Sequence, residues 1–299
     1  MKVLLLGATG MLGSAVYKVL RNIHHYDITI TARDYSKVQL LPTWHAMDGI
    51  GEWRDNPRTI DFDATKALED YKVKSGTYFQ NFVDKVGEVD YVINAIGVIL
   101  PFAMKNPELT FFVNSALPHI LARQYGPKLI HVTTDCVYAG NDGRAPYDEL
   151  SPLSPNSFYG LSKSLGEPKE CLTIRTSIAG PELSGHDSLL GWFMHEAETT
   201  KMVKGYTDWM WNGITTQEYG RICHKIMSSG RKLTGLVHAF STPVSKYDTL
   251  MAFQDRFGTA CSIVPIESGA PIDRTLSTIH DFNDWLAIPP FRQMIEEMV

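Results

Sequence analysis

A glycine-rich turn near the N-terminus constrains the fold of this chain more than any other feature. The apolar run Lys2–Leu6 is followed directly by Gly7-Ala-Thr-Gly10-Met-Leu-Gly13, where a helical pattern begins. Glycine lets a chain turn sharply from a strand into a helix, and the missing side chains let backbone N–H groups approach a pyrophosphate at the positive end of the helix dipole. We therefore predict a dinucleotide-binding turn whose contacts are Gly7, Thr9, Gly10, Met11 and Leu12.

Apolar β-type runs alternate with helical patterns through the first 176 residues. The predicted strands include Lys2–Leu6, Asp27–Thr31, Tyr91–Ala95, Leu129–Thr133 and Leu172–Thr176. Several are apolar almost throughout, as strands buried on both faces of a sheet must be. The predicted helices are Leu12–Asn22, Thr77–Val86, Pro107–Gln124 and Tyr159–Glu167. The alternation predicts an α/β protein with a Rossmann-type doubly wound parallel sheet.

The pattern changes after Thr176. Residues 178–214 carry Gly, Pro, Trp and Met without clean periodicity, and a helix (Gln217–Met227) and a strand (Leu236–Ser241) then resume the alternation. This change predicts a second, smaller C-terminal lobe that binds the substrate. The predicted division is an NAD(P)-binding Rossmann domain at 1–177, to which the chain returns at about 215–241, and a lobe made of 178–214 and 242–299.

The composition narrows the classes of partner. The 299 residues carry a net charge of −5, which argues against nucleic acid or an anionic membrane as the main partner. The cysteines are scattered without a CxxC pair, which favours a reduced, cytoplasmic protein. His195-Glu196 is not followed by a second His at position 199, so we expect no metal site. The sequence leaves a homodimer open.

The residues after the second predicted strand bear on the choice of cofactor. In dinucleotide folds, an acid about 20 residues beyond the glycine turn holds the ribose 2′-OH of NAD. Here Ile30-Thr-Ala is followed by Arg33, whose guanidinium suits a 2′-phosphate, although Asp34 stands next to it. We therefore expect NADP, bound through Arg33, with NAD as the alternative.

Two further strand ends are expected to border the cofactor. Asp63 follows Ile60-Asp-Phe and is predicted either to contact the adenine edge or to be a plain turn residue. Asn94 ends another strand, and the backbone that follows it must pass close to the cofactor. Gly97 permits that close approach. The predicted contacts at this second strand end are Ala95, Ile96 and Gly97.

The spacing of Tyr159 and Lys163 places both on one face of a helix. They follow a predicted strand that ends in His131-Val-Thr-Thr134, and open α/β sheets bind ligands at such carboxyl ends. A ketone that accepts a hydride needs a proton donor, and an ammonium lowers the pKa of Tyr from about 10 toward the useful range. We predict Tyr159 as proton donor, with Lys163 tuning it and holding the nicotinamide ribose. Thr134 is expected to orient the carbonyl.

Three motifs stand in the middle of the chain, followed by Gly166-Glu167: Thr133–Gly140 (TTDCVYAG), Pro146–Glu149 (PYDE) and Tyr159–Lys163 (YGLSK). With Asn114 and Ile174-Arg-Thr-Ser, they resemble the dTDP-4-dehydrorhamnose reductase branch of the extended short-chain dehydrogenases. The resemblance covers roughly residues 1–255. It implies NADPH-dependent reduction of a 4-keto group on a nucleotide-diphospho-6-deoxy sugar. The catalytic trio that it implies is Thr134, Tyr159 and Lys163.

Cys136 departs from this branch, which more often has an aromatic residue near the sugar at that place. Sugar 4,6-dehydratases have a Glu there, so dehydration is not expected. GDP-fucose synthase-like enzymes have a Cys there that works with a His in epimerisation, and His186 or His195 would be the partner in this chain. The other interpretation, which we favour, is a small buried Cys that packs beneath the substrate.

The remaining substrate contacts are expected on both sides of the cleft. Cys136 and Tyr138 are predicted contacts from the TTDCVYAG run, and Arg274 is predicted to clamp a diphosphate. Trp211 lies in an aromatic segment that is predicted either to stack a base or wall the sugar pocket, or to belong to the core of the lobe. The alternatives to a simple reductase are a nucleotide-sugar epimerase or epimerase-reductase and, from another class, a non-catalytic NADP-binding regulatory subunit. A long connection at 35–60, which contains Trp44 and Trp53, has no assigned role.

Overall fold

The computed structural model describes residues 1–41 and 57–298. Its strands, in chain order, are β1 (Lys2–Leu6), β2 (Asp27–Ala32), β3 (Arg58–Asp61), β4 (Tyr91–Asn94), β5 (Leu129–Thr134), β6 (Leu172–Thr176), β7 (Ile178–Ala179), β8 (Met202–Tyr206), β9 (Trp209–Trp211), β10 (Ile214–Thr215), β11 (Gly235–His238), β12 (Val244–Ser245), β13 (Ser262–Ile266) and β14 (Ile272–Asp273). Its α-helices are α1 (Met11–Arg21), α2 (Ala64–Lys72), α3 (Thr77–Val86), α4 (Leu100–Ala103), α5 (Pro107–Phe111), α6 (Leu117–Tyr125), α7 (Phe158–Ser164), α8 (Leu189–Thr199), α9 (Thr216–Ser228), α10 (Lys246–Phe257), α11 (Phe282–Leu286) and α12 (Phe291–Glu296).

Within the described residues, seven strands form one parallel sheet in the order β11-β6-β5-β4-β1-β2-β3. The predicted Rossmann-type doubly wound sheet is therefore confirmed. Strand order reverses between β1 and β4, and such a reversal opens a crevice at the carboxyl ends of the strands. After the short strands that follow β6, the chain returns to this sheet with β11 at its edge.

Helices cover both faces of the sheet, which explains the unbroken apolar run of β1. Successive side chains of a strand face opposite sides. Leu5 packs in one apolar cluster with residues of α1 and α9, such as Tyr219. Leu6 packs on the other side with residues of α3 and α6, such as Phe82. Because both faces are buried, neither set of positions in this strand tolerates a polar residue.

Two predicted helices differ from the observed ones near the crevice. The helix predicted at Pro107–Gln124 is interrupted by a π-helical turn at Phe112–Ala116. The helix predicted to reach Glu167 ends at Ser164, because Gly166 lies against the backbone of Asn114, where a Cβ would come within 1.8 Å of the Asn114 carbonyl oxygen. The chain must therefore leave the helix before it makes this contact.

The segments after β6 form smaller sheets that pair β10 with β7, β13 with β8, and β12 and β14 with β9. The PYDE motif joins this part of the chain to the main sheet. Tyr147 forms a β-bridge with Leu276. The Glu149 carboxylate accepts hydrogen bonds from the backbone N–H of His238 (2.8 Å), from the Thr278 hydroxyl (2.7 Å) and from the backbone N–H of Ile279 (3.0 Å).

The described helices include none that is both long and apolar enough to cross a membrane. Of the predicted long connection at 35–60, the structure describes a 3-10 helix at Tyr35–Leu40 and the start of β3. Trp44 and Trp53 lie outside the described residues.

Candidate active site

The glycine turn has the conformation and the close approaches that the sequence predicts. Gly7 has a φ of +77°, and its N–H donates to the Thr31 hydroxyl at 3.0 Å. A Cβ on Gly13 would lie 2.1 Å from the Gly7 carbonyl oxygen, so only glycine allows α1 to start so close to the end of β1. Gly10 precedes the first residue of α1 and provides no side-chain cap. Thr9, Met11 and Leu12 belong to the same turn and helix start.

Arg33 and Asp34, the two charged residues that follow β2, have different surroundings. The Asp34 carboxylate caps the following 3-10 helix and accepts hydrogen bonds from the backbone N–H and the hydroxyl of Ser36, at 3.0 and 2.6 Å. These bonds hold the pKa of Asp34 below its ordinary value. Arg33 is exposed at the carboxyl end of the strand. The Asp34 carboxylate is thus held by hydrogen bonds to Ser36. Of these two charged side chains, Arg33 is the one suited to bind an anionic group.

Asp63 caps a helix. Its carboxylate accepts a hydrogen bond from the backbone N–H of Thr65 at 2.8 Å, at the start of α2. This geometry favours the second of the two interpretations of Asp63, a turn residue.

The segment after β4 connects the glycine turn to the catalytic helix. Asn94 is fully buried, and its side chain bonds both to the His131 ring (3.1 Å) and to the backbone N–H of Ile96 (3.1 Å). A Cβ on Gly7 would lie 3.2 Å from the Ala95 carbonyl, and one on Gly97 would lie 4.0 Å from Lys163 Nζ. The structure therefore brings Ala95–Gly97 between the predicted phosphate turn and Lys163.

Thr134, Tyr159 and Lys163 meet at the carboxyl end of β5. Lys163 is 5% exposed, and its ammonium donates to the Val132 carbonyl at 2.9 Å. Burial lowers the pKa of Lys163 to about 8, although Glu167 acts in the opposite direction. The Thr134 hydroxyl acts on the Tyr159 phenol and lowers its pKa.

The pKa of Tyr159 differs from the sequence prediction. Burial raises it well above its ordinary value, Cys136 and Asp135 raise it further, and only the hydrogen bond with Thr134 lowers it. The sequence predicted a lowering by the ammonium of Lys163. That ammonium instead faces the carbonyl of Val132. The phenol is consequently held in its protonated form, which is the form that a proton donor requires.

The catalytic helix is fixed by close contacts on two sides. A Cβ on Gly160 would lie 2.2 Å from the Cys136 carbonyl oxygen, so α7 packs directly on the turn that follows β5. From the π-helical turn, the Asn114 side chain bonds both the N–H and the carbonyl of Val98 at 2.9 Å and donates to the Ser162 hydroxyl at 3.0 Å. Asn114 therefore fixes α7 relative to the segment that follows β4.

Arg274 reaches the site from the second part of the chain. Its Nε donates to the Tyr138 carbonyl at 3.0 Å, its Nη2 lies 3.5 Å from the Asn156 amide oxygen, and its Nη1 lies 3.9 Å from Cys136 Sγ. Gly140 permits this approach, because a Cβ there would lie 2.8 Å from Arg274 Cγ. Of the predicted substrate contacts, the structure thus brings Cys136 and Arg274 together beside the trio.

The surroundings of Cys136 differ from those of an acid–base cysteine. Burial, together with the nearby Asp135, raises the pKa of its thiol to about 12, although Arg274 acts in the opposite direction. His186 and His195 are exposed and stack on each other, with ring centroids 4.7 Å apart. The guanidinium of Arg274 also lies beside Cys136, with Nη1 3.9 Å from its Sγ.

The structure corrects the prediction for Tyr138. This side chain is fully buried and stacks on Tyr147 with ring centroids 4.1 Å apart. Its hydroxyl donates to the Asp148 carbonyl and accepts a hydrogen bond from Arg175. Alternate residues of an extended segment face opposite sides, so Tyr138 faces the core beneath the site.

Trp211 is half-buried and packs against the apolar core. Its indole N–H donates to the Thr249 hydroxyl at 2.9 Å, and its ring meets Phe291 edge-on with centroids 5.2 Å apart. Gly213 lies against the ring, since a Cβ there would come within 2.1 Å of it. These contacts favour the core interpretation of Trp211.

Sequence reasoning missed Asp135, which lies at the centre of the site. It is 4% exposed, and burial raises its pKa while Arg274 lowers it. The hydroxyl of Thr134 donates to its carboxylate at 3.1 Å, and the side chains of Thr134, Ser177 and Cys136 act to lower its pKa. An acid directly after a strand is typical of a turn, and only the Thr-Asp pair within the TTDCVYAG motif signalled more.

Comparisons with known proteins agree with this geometry. The model of the NAD dependent epimerase/dehydratase family matches residues 3–174, more than half of the chain. The chain is 27% identical over 146 residues to the spore coat polysaccharide biosynthesis protein SpsK of Bacillus subtilis, which covers 47% of this chain and 50% of that protein. It is 36% identical over 85 residues to a dTDP-4-dehydrorhamnose reductase of Mycobacterium tuberculosis, which covers 26% of this chain and 28% of that protein.

A solved structure matches nearly the whole chain. The dTDP-4-dehydrorhamnose reductase of Bacillus anthracis, in complex with NADP, superposes with a TM-score of 0.72 at 18% identity, covering 99% of this chain and 98% of that one. At this identity the likeness concerns the fold. The aligned segments span half or less of the length of the two curated relatives.

Proposed function

Because the chain belongs to the NAD dependent epimerase/dehydratase family, we propose that it reduces the 4-keto group of a nucleotide-diphospho-6-deoxy sugar with NADPH. The observation that carries the proposal is the meeting of Tyr159, Thr134 and Lys163 beside Gly97, at the carboxyl end of β5. A proton donor, a second hydroxyl and a cation are the groups that carbonyl reduction next to a dinucleotide needs.

The residues present fit NADP. The glycines of the Gly7–Gly13 turn let α1 start close against the end of β1, and α1 begins there with backbone N–H groups suited to a pyrophosphate. Arg33 provides a cation at the end of β2, where the 2′-phosphate of NADP would lie. When bound, the reduced nicotinamide supplies the hydride. Lys163, next to Gly97, is placed to hold the nicotinamide ribose.

Each member of the trio has a separate task in this reaction. Tyr159 donates its phenolic proton to the carbonyl oxygen as that oxygen becomes an alcohol. The Thr134 hydroxyl, which donates to Asp135 in the structure, would turn its proton to the same oxygen and orient it. Lys163 keeps a positive charge near the developing alkoxide, since its pKa of about 8 leaves most of it protonated at neutral pH.

Arg274 is proposed to bind the substrate. It contacts Cys136 and the Tyr138 carbonyl, and it acts on the charge of Asp135. A guanidinium at this place suits a diphosphate, as the sequence predicted. Cys136 would pack against the sugar.

Simple reduction is favoured over the epimerase alternative by the neighbours of Cys136. Epimerisation needs an ionisable thiol that works with a His. Burial and Asp135 raise the pKa of Cys136 and so disfavour the thiolate, although Arg274 acts in the opposite direction. The intact trio favours an enzyme over a regulatory subunit, which would need no proton donor.

Turnover is the direct test. Purified protein would be mixed with NADPH and a dTDP-4-keto-6-deoxy sugar, and both NADPH oxidation and the mass of the sugar product would be followed. We expect stoichiometric NADPH consumption with a gain of two hydrogens in the sugar. Binding of NADPH without consumption would instead support the regulatory subunit, and an isomerised sugar of unchanged mass would support the epimerase.

A further inference from the structure

Arg175, on β6, is 1% exposed, and hydrogen bonds hold its guanidinium on every side that the structure describes. Its Nε and Nη2 donate to the two carboxylate oxygens of Glu167, at 3.1 and 2.6 Å. Its Nη1 donates to the Tyr138 hydroxyl at 2.6 Å and lies 2.9 Å from His238 Nε2. A guanidinium can only donate, so Nε2 of His238 must accept and carries no proton.

The other ring nitrogen of His238 therefore bears the proton. Nδ1 lies 2.7 Å from the carbonyl oxygen of Ser277, and a carbonyl can only accept. Burial and the charge of Arg175 both lower the pKa of His238, although Glu149 acts in the opposite direction. His238 is fully buried and is the last residue of β11, so its Nδ1–H bonds the main sheet directly to Ser277.

Ser277 lies three residues after Arg274, in a segment whose backbone is held at several points. The N–H and the carbonyl of Leu276 both bond to the side chain of Asn212, at 2.8 Å. The ring of His238 then holds the carbonyl of the next residue, Ser277. The end of the segment that carries Arg274 thus cannot move away from β11 without leaving a buried N–H and a carbonyl unpaired.

The same nitrogen of Arg175 supports Arg274 by a second route. The Tyr138 hydroxyl accepts from Arg175 Nη1, and the Tyr138 carbonyl accepts from Arg274 Nε at 3.0 Å. One buried nitrogen atom therefore fixes both the residue whose carbonyl holds Arg274 and the ring that holds its segment.

We propose that His238 is a positioning residue for Arg274: its Nδ1–H, fixed in that tautomer by Arg175, holds Ser277 and so places the Arg274 guanidinium for the diphosphate of the substrate. The inference rests on the substrate contact that the proposed function gives to Arg274. Because His238 acts through Arg274, it should affect binding of the diphosphate and leave the transfer of the hydride and the proton nearly unchanged.

Two substitutions separate the two ring nitrogens. His238→Asn places an amide NH2 group where Nδ1 lies and keeps the bond to Ser277. His238→Gln places its amide where Nε2 lies, so it can accept from Arg175 but has no donor at the Nδ1 position. We expect the Kd for dTDP to rise roughly tenfold in His238→Gln and to stay within about threefold of the wild-type value in His238→Asn. In His238→Gln, the KM for the keto sugar nucleotide should rise with the Kd, whereas kcat and NADPH affinity should change little.

Isothermal titration calorimetry with dTDP, in the presence of NADP, measures this without turnover. His224→Gln is the matched control, since that ring also bonds through Nδ1, to the Tyr26 hydroxyl at 2.8 Å, and its loss should leave the Kd for dTDP unchanged. Arg274→Ala should weaken dTDP binding, and adding His238→Gln should weaken it no further. Long-range 1H–15N NMR spectra of the wild-type protein provide a measurement that needs no variant, and we expect a neutral His238 ring with its proton on Nδ1.

Several results would overturn the inference. They are a His238 proton on Nε2, a His238→Gln protein that binds dTDP as tightly as the wild type, a His238→Asn protein that binds it as weakly as His238→Gln, and a further loss when His238→Gln is added to Arg274→Ala. Equal dTDP affinities of the wild type and Arg274→Ala would remove the substrate contact of Arg274, and this inference with it. A wild-type protein that binds dTDP through Arg274 but reduces no keto sugar would instead reject the proposed reduction and leave the role of His238 standing.

Discussion

Arg274 Nη1 lies 3.9 Å from Cys136 Sγ, although the two residues are 138 positions apart in the sequence. The segment that carries Arg274 follows β14, whereas Cys136 follows β5 of the main sheet. The approach depends on Gly140, which lies against the Arg274 side chain. The site thus takes Thr134 from the end of β5, Tyr159 from α7 and its guanidinium from the segment after β14, and it is complete only when these elements pack together.

The contacts of Glu149 maintain that docking, so Glu149→Gln should affect binding of the sugar nucleotide through Arg274. An amide can replace one accepting oxygen but cannot accept from the N–H of Ile279 with its nitrogen. We expect KM for the sugar nucleotide to rise about tenfold, with kcat and NADPH affinity nearly unchanged. Steady-state kinetics would measure both.

A double-mutant cycle with Arg274→Ala distinguishes this effect from general destabilisation. If Glu149 acts through Arg274, the double variant should have a KM close to that of Arg274→Ala alone. Strictly additive effects would show that Glu149 acts by some other route.

Arg33 should determine the preference for NADPH over NADH. A guanidinium–phosphate pair at an exposed site is worth roughly 1 kcal/mol or somewhat more, so Arg33→Ala should weaken NADPH binding about tenfold and leave NADH binding unchanged. Fluorescence titration with both cofactors provides the measurement. Lys37→Ala, on the adjacent 3-10 helix, is the charge-matched control. Equal wild-type affinities for the two cofactors would remove the argument for NADP.

Tyr159→Phe should fold, bind NADPH and lose at least about a hundredfold in turnover, because general acid catalysis typically contributes 10²–10⁴. The ring still fills its half-buried site, and only the hydroxyl with its proton is removed. Single-turnover oxidation of NADPH would report the chemical step. A variant that kept more than about a tenth of the wild-type rate would show that another group donates the proton.

Lys163 makes cofactor binding depend on pH in a defined direction. Burial lowers the pKa of its ammonium to about 8, so the cation is present below that pH and is lost as the pH rises through it. NADPH affinity should therefore weaken above about pH 8 in the wild-type protein. In Lys163→Met the affinity should be lower at neutral pH and should lack this titration. A wild-type affinity that stays constant through this range would contradict the ribose contact.

Sequence reasoning succeeded where the signal is local and stopped where contacts are distant. The Gly7–Gly13 turn requires glycine for reasons visible within seven residues, and the strands around it are apolar runs. Trp211 is different, because its partners Thr249 and Phe291 are far along the chain and no local pattern shows which face of β9 they cover. Tyr138 was misjudged because its motif is functional, although alternate residues of that motif face the core.

The pKa shifts of Tyr159 and Lys163 could not be predicted from the sequence either. Spacing predicted that Lys163 and Tyr159 share a helix face, but not that Lys163 would donate to the Val132 carbonyl. The extent of burial, which dominates the pKa of both groups, depends on the π-helical turn and on Gly160, and neither is visible as a period in the sequence.

Replacing the sulfur of Cys136 with oxygen distinguishes its two interpretations, packing residue and acid–base group. If Cys136 only packs against the sugar, Cys136→Ser should retain most of the reduction rate, since the hydroxyl nearly preserves the volume. An epimerising enzyme needs an ionisable thiol, and the same change would abolish epimerisation. Because burial already raises the pKa of this thiol to about 12, we expect the modest loss.

Reaction in D2O, analysed by the mass of the sugar product, tests the same point in the wild-type protein. Simple reduction leaves the ring carbons next to the ketone undeuterated apart from slow background exchange, because no C–H bond there is broken. Epimerisation must place a solvent deuteron on at least one of them. We expect no enzyme-catalysed uptake at ring carbon, with a reaction lacking protein as the control for background exchange. Rapid uptake that disappears in Cys136→Ser would establish the thiol as an acid–base group, despite its burial beside Arg274.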